Sequence, residues 1–461
     1  MKSTRRGFMM GCSAAIASLA GSRIHTVAFG DTGPEGPYPK GAFNDETLVV
    51  VFLRGGMDGL NVVAPIDGVD RGHYEAARPD LQLPVSGTGA ALPLDAQFGL
   101  HPAAAPLHDL WQNNSLAIVH AAGMNESTRS HFDAMEYIEL GTPGVKSTTT
   151  GWLTRHLDSA NNLPPEIVMP SLAVGDLQQT SQLGNLETIN LVDPDQFHFQ
   201  NGPWRWRDAQ RTALRRMLQG GNSPLHQTAR QALDAVDIVE LYTGDNYMPA
   251  NGAVYPETSF GEDLQVVAQM IKLDLGLRVV TVDLGGWDTH ESQGNGSGGY
   301  FAGLLGELAQ GLAALYLDLD GSGSANYAQR LTVVAQSEFG RRFTQNADDG
   351  TDHGHGNVMM VLGGNVNGGF HGAWPGLAPG QLFEGVDLAV TTDYRQVLSE
   401  ILIRRLGNNQ LGTVFPGYGG YSPLGVVQGN DIPPDYSGGR EEIFSDGFET
   451  GDPGRWIVGG G

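Results

Sequence analysis

Four short apolar runs constrain what this chain can fold into, because each breaks off at a polar cluster. Thr47-Leu48-Val49-Val50-Val51-Phe52-Leu53 is too short for a globular helix and rich in valine. It reads as a central parallel strand, buried on both faces. Residues 116–122, 278–284 and 331–336 have the same character, and a fifth run, 358–362, follows a loop rich in Asp, His and Gly. Helical patterns separate them, at 151–160, near 209–219, 225–242 and 261–274, from Tyr300 to Leu319, and from Thr391 to Leu406. Strands alternating with helices predict an α/β fold, a mainly parallel sheet with helices on both faces. The stretch from about 180 to 275 is predicted as a helical insertion packed over that sheet. Trp204 and Trp206 within it read equally as core and as an aromatic platform.

In a parallel sheet the carboxyl ends of the strands share one edge, and ligands sit beyond that edge. The polar clusters would therefore meet, although they lie far apart in sequence. The first run ends in Arg54-Gly55-Gly56-Met57-Asp58-Gly59, and the second leads to Asn125-Glu126-Ser127-Thr128-Arg129-Ser130-His131 at the start of a helix. The third leads to Gly285-Gly286-Trp287-Asp288-Thr289-His290. The fourth gives Ser337-Glu338 and then Asp352-His353-Gly354-His355-Gly356. Two imidazoles two residues apart between glycines are placed to face one ion, since glycine lets the backbone turn tightly. Asp58, Asp288, His290, Glu338, His353 and His355 are thus the expected metal ligands. Carboxylates with imidazoles suit Zn, Mn or Fe, and Mg or Ca where oxygens dominate. Two such ions would clamp the attacking and leaving oxygens of phosphoryl or sulfuryl transfer.

The hydroxyls and Arg129 at a helix N-terminus make an anion cradle, because free N–H groups and the helix dipole favour negative charge. A hydroxyl at this helix N-terminus, beside the ions and with Arg129 and His131 next to it, would be placed to act as a nucleophile. The plain alternatives are that Ser130 caps the helix and His131 packs in its first turn.

Composition narrows the partners. The chain carries 27 basic and 51 acidic residues, a net charge of −24. A field of that sign repels nucleic acid and anionic membrane surfaces, while a local metal can still draw a small anionic ester into a cleft. Cys12 is the one cysteine, so metal binding falls to His, Asp and Glu.

The N-terminus reads as a twin-arginine signal peptide over residues 1–28. Arg5-Arg6 precede an apolar stretch, Met9 to Ala20, and a small-residue cleavage site at Thr26-Val27-Ala28. That stretch is too short to span a membrane. The expected partner is the twin-arginine export machinery, and the expected location periplasmic or secreted. Residues 29–45 read as an unstructured lead-in, 46–430 as the α/β domain, and 431–461 as an acidic, glycine-rich tail. Part of that tail, from Ile443 to Gly451 with Trp456, resembles a short C-terminal motif of many exported bacterial proteins.

RGGMDGLN, TRSHFDA, GGWDTH, SEFGR and DHGHGN, in this order behind a twin-arginine leader, resemble the family called domain of unknown function 1501. The resemblance runs from about residue 45 to 425. That family is grouped with the alkaline phosphatase/sulfatase superfamily, so the resemblance implies an alkaline phosphatase/sulfatase-like fold. It also implies a first-strand Asp at Asp58, a nucleophile at Ser130 or Thr128, and an Asp…His pair at Asp288 and His290. Glu338 stands for a later Asp, and His355 or His353 for the last His. Phe339 occupies a position where the superfamily has a histidine ligand, so one metal site would be altered. The implied activity is metal-dependent hydrolysis of phosphate or sulfate esters with one or two ions. A non-catalytic metal-containing protein on the same scaffold is the alternative. A metal-free serine hydrolase ranks last, since no G-x-S-x-G elbow is present.

Overall fold

The computed structural model describes residues 44–438, apart from 164–166, 168, 195–196, 198–202, 222 and 243–246. The signal peptide, the lead-in up to residue 43 and the tail from 439 onward lie outside the described residues, and Cys12 with them.

Twelve strands are present among the described residues. They are β1 (Thr47–Leu53), β2 (Val63–Pro65), β3 (Leu92–Pro93), β4 (Phe98–Leu100), β5 (Leu116–Gly123), β6 (Ser171–Val174), β7 (Thr188–Leu191), β8 (Val279–Leu284), β9 (Leu331–Gln336), β10 (Asn357–Leu362), β11 (Gly369–His371) and β12 (Thr392–Asp393). Nine form one sheet in the order β7-β6-β8-β1-β9-β10-β5-β11, with β12 beside the end of β5. The others form a small antiparallel sheet, β2-β4-β3, inside the excursion that follows β1.

The sheet is mostly parallel, as its valine-rich runs predict, and the exception is β10. It lies antiparallel to both β9 and β5. The chain between β9 and β10 contains no helix to carry it back across the sheet, so it returns from the same end. That reversal puts the Asp352–Gly356 loop at the edge where β1, β5, β8 and β9 end.

β1 is buried along its whole length. Val49, Val51 and Leu53 enter one apolar layer and Leu48, Val50 and Phe52 the other, as the two-residue period of a strand requires. The first layer is closed by the helices Ala105–Gln112, Ser259–Lys272 and Tyr300–Leu319. The second is closed by His131–Leu140, Trp152–Ser159 and Tyr394–Arg404. Among the described residues, Tyr300–Leu319 alone has the length and apolarity to cross a membrane. Its Phe301, Leu305, Leu308, Leu312 and Leu315 are core residues of the first layer.

The expected insertion at 180–275 is only partly an insertion. Thr188–Leu191 extends the sheet as an edge strand, and Ser259–Lys272 buries Phe260, Leu264 and Val267 directly in the first core layer. Pro224–Tyr242 also reaches that layer through Ala235 and Val239, so Arg207–Leu218 is the helix left outside the sheet sandwich, and Trp204 and Trp206 are exposed ahead of it.

Candidate metal centre

Four loops at the carboxyl edge carry the site, and each is held by local chemistry. After β1 the chain turns at Gly55, whose φ of +123° suits glycine, and a Cβ there would lie 2.5 Å from the backbone nitrogen of Asp288. The loops after β1 and β8 therefore abut. The helix His131–Leu140 starts at Ser130, whose Oγ accepts from the Asp133 N–H at 3.4 Å. The residue after that cap, His131, is thereby delivered at the head of the helix, over the end of β9.

Three imidazoles and one carboxylate converge. His353 Nε2 lies 2.8 Å from His131 Nε2 and 2.8 Å from His290 Nε2. Asp288 Oδ1 lies 3.3 Å from His131 Nε2, 3.2 Å from His290 Nε2 and 3.3 Å from His353 Nε2. His131, Asp288 and His353 form a cluster able to hold a metal ion, and His290 adjoins it through Asp288 and His353. All four are partly open to solvent, with 19% of the His131 side chain and 49% of that of Asp288 exposed.

Every other imidazole nitrogen is occupied. His131 Nδ1 donates to Glu338 Oε1 at 2.6 Å, His290 Nδ1 to Asp352 Oδ1 at 3.0 Å, and His353 Nδ1 to the Arg129 carbonyl at 2.8 Å. A carbonyl or carboxylate only accepts, so each Nδ1 carries a proton, and a ring that is neutral turns a bare Nε2 lone pair inward. Three lone pairs and an anionic oxygen then point at one another with no donor among them. A cation satisfies all four. Nδ1–H bonded to carboxylate or carbonyl oxygen is the usual support of a metal-bound histidine. A tetrahedral Zn site with bonds of about 2.0–2.1 Å has ligand atoms roughly 3.3 Å apart; the separations of Asp288 from the three imidazoles match this, and the two imidazole pairs at 2.8 Å are tighter.

Arg341 organises the anionic side. Its buried guanidinium donates to the carbonyls of Gly55, Gly56, Trp287 and Thr351, and to Asp288 Oδ1 at 2.7 Å. Burial pushes the Asp288 carboxyl up, but Arg341 and the neighbouring imidazoles outweigh it and hold the group down at about 2. Burial likewise opposes charge on His131, yet Glu338 raises its pKa above the ordinary value, whereas burial lowers that of His353. Phe339 packs against His131 and His353 with ring centroids 4.8 and 5.1 Å away, an apolar wall on one side of the cluster. Arg342 pairs with no acid among the described residues, although it lies near enough to Asp352 and Glu384 to lower both their pKa values.

Of the residues expected as ligands, Asp288, His290 and His353 meet. Glu338 is buried and stands behind His131, accepting also from the Gly55 N–H and from Ser337 Oγ. It touches the centre through His131 and not directly. Asp58 turns inward, where Arg78 Nη1 and Gln293 Nε2 each donate to its Oδ2 at 2.6 Å, and it is not among the converging groups. His355 stacks on Phe383 at 4.0 Å. Gly354 packs on the backbone of Arg341 and Gly356 on that of Leu388 and Ala389, so the chain between them turns and the two histidines part. His131, expected beside a nucleophile, is instead one of the three convergent imidazoles. Ser130 and Thr128 are engaged in capping and turn bonds, with Thr128 Oγ1 accepting from the Ser130 N–H at 3.2 Å. Arg129 is paired with Glu384 and Asp387, each at 2.6 Å, so its guanidinium is not a free anion cradle. Sequence reasoning did not single out Asp352, Arg341 or Gln293. Asp352 carried the one available signal, an acid directly preceding a histidine.

Searches of curated proteins and of solved structures found no match for this chain. Residues 196–410, which include Asp288, His290, Glu338 and His353, match the model of the family described as "Protein of unknown function (DUF1501)", and this match supports the family resemblance carried by the motifs.

Proposed function

We propose that this protein is an exported metal-dependent hydrolase of phosphate or sulfate esters, built on an alkaline phosphatase/sulfatase-like scaffold. It would hold one divalent ion on His131, His290, His353 and Asp288. The observation that carries the reading is the gathering of three Nε2 atoms around Asp288 Oδ1, each on a ring whose Nδ1 already faces an oxygen acceptor. Three imidazoles to one carboxylate favour Zn, or Mn and Fe, over Mg and Ca. Phe339 stands where a further imidazole would be needed for a second ion, which favours a mononuclear centre.

An ion in such a site supplies Lewis acidity and lowers the pKa of a water. The chain's own groups do the rest. Arg341 keeps Asp288 ionised and aimed at the histidines. Arg342, which pairs with no acid among the described residues, offers its guanidinium beside Asp352 for an anionic ester, and its alanine variant is expected to raise KM more than it lowers kcat. Ser130 caps the helix, and in this reading a water would take the place of the serine nucleophile. The half-open ligand set favours turnover over a purely structural ion, since structural sites are closed.

The test is an elemental count on protein purified without added metal, followed by hydrolysis of p-nitrophenyl phosphate and p-nitrophenyl sulfate with and without chelator. One ion per chain and chelator-sensitive hydrolysis are expected. An ion without hydrolysis leaves a metal-containing binding protein, and hydrolysis that survives chelation overturns the metal mechanism.

A further inference from the structure

Two loops supply Asp288, His290 and His353, three of the four groups of the metal centre, and at the centre itself the bond from His290 Nδ1 to Asp352 Oδ1 joins them. A buried polar chain beneath them joins the same two loops a second time. Gln293 Oε1 accepts from Thr289 Oγ1 at 2.9 Å and from Thr351 Oγ1 at 2.8 Å. Thr289 lies between Asp288 and His290, and Thr351 directly precedes Asp352 and His353. The same two loops share backbone bonds, from Thr351 N to Thr289 O at 3.0 Å and from Gln293 N to Asp349 O at 2.9 Å. Thr289, Gln293 and Thr351 are all buried.

The direction of this chain is set by charge. Gln293 Nε2 donates to Asp58 Oδ2, which also accepts from Arg78 Nη1, and both charged side chains are fully buried. A carboxylate cannot donate, so it orients the amide with its NH₂ toward Asp58 and its oxygen toward the threonines. Both hydroxyls are then obliged to donate to Gln293. The second oxygen, Asp58 Oδ1, is buried without a partner, so the geometry is built around the one that meets Gln293 and Arg78.

We infer that Gln293, oriented by the Asp58–Arg78 pair, is a positioning residue that sets the spacing of Asp288 and His290 against His353. The inference rests on the metal centre proposed above. It assigns Asp58 the task of orienting the ligand loops, where the sequence pattern pointed to a ligand. Support one step behind a metal ligand typically changes affinity 10- to 100-fold, and the effect here is expected within that range.

The experiment measures Zn²⁺ affinity by competition with a chromophoric chelator, on full-length protein at a temperature where each variant is folded. Gln293→Met, which keeps the bulk of the side chain and loses both ends, is expected to bind roughly 10- to 100-fold more weakly. Thr351→Val is expected to weaken binding in the same direction, and Thr351→Ser, which restores the hydroxyl, to recover it. Asn408→Ala removes a buried polar side chain bonded to His156 and Ser159, away from the centre, and is expected to leave affinity unchanged while lowering Tm. Affinity of Gln293→Met within twofold of the parent, or an equal loss in Asn408→Ala, overturns the inference. A parent protein that takes up no Zn²⁺ overturns the metal centre itself, an outcome distinct from either.

Discussion

His290 and His353 face each other nitrogen to nitrogen at 2.8 Å, each having given its Nδ1–H to an oxygen. Two neutral imidazoles in that arrangement repel, and a third, His131, stands equally close to His353. A shared cation turns the repulsion into coordination. Removing one imbalance at a time tests this. His353→Ala and His290→Ala are each expected to lose most of the bound ion by elemental analysis. Parent protein given ion at about 100 to 1,000 times its Kd is expected to gain roughly 3–4 kcal/mol of stability, with Tm falling on chelation. Equal Tm with and without chelator, in protein shown to contain an ion, would argue that the ion sits elsewhere.

Ser130 separates two chemical mechanisms. Its Oγ accepts from the Asp133 N–H, a capping bond whose loss costs about 1 kcal/mol. Ser130→Ala is therefore expected to lower stability by that amount and to leave kcat within a few-fold of the parent. A covalent nucleophile behaves otherwise, since its removal abolishes turnover. Steady-state kinetics with a denaturation curve on the same preparation reads both quantities.

Features written in local sequence were legible, and features made by distant pairings were not. The β1 run and the helix Tyr300–Leu319 follow from periodicity and apolar content, because burial on both faces leaves no other pattern. Asp393 caps its helix by accepting from the Arg395 N–H at 2.9 Å, as a residue in that position is expected to. Asp58 misled because its fate depends on Arg78, twenty residues on, and on Gln293, on the far side of β8 in the chain. His353 and His355 are identical as residue types and differ only in which backbone their neighbouring glycines touch. The antiparallel return of β10 was hidden for a similar reason, since a buried strand reads the same in either direction.

Arg341 is expected to be the costliest single loss in the site. Its guanidinium satisfies four carbonyls drawn from three loops, and Asp288 besides. Arg341→Met leaves those acceptors without their donor and the half-exposed Asp288 without its counter-charge, a change expected to cost on the order of 2–3 kcal/mol, chiefly from the buried carbonyls left unsatisfied. Arg341→Lys keeps a charge but has no planar fork to reach the several carbonyls, so it is expected to recover only part of the loss. Urea unfolding should show a lower midpoint at unchanged slope, since the exposed surface of the unfolded chain is the same.

Acid should weaken the fold through two histidines remote from the metal centre. Burial lowers His156 and His120 from 6.5 to about 4. His156 Nδ1 accepts from Asn408 Nδ2 at 3.0 Å, and His120 is stacked on Phe370 with Phe98 and Trp374 at its edges. Neither folded environment welcomes a proton. A depressed folded pKa means the unfolded chain binds more protons as pH falls below its own value, so stability is complete above 6.5 and declines toward 4. Each histidine is expected to withdraw on the order of 2 kcal/mol between about pH 7 and about pH 5. Guanidinium unfolding at the two pH values measures the slope, and His156→Gln and His120→Phe should each flatten it by that share. A slope unchanged in both variants would mean that the acid sensitivity lies in the carboxylates instead.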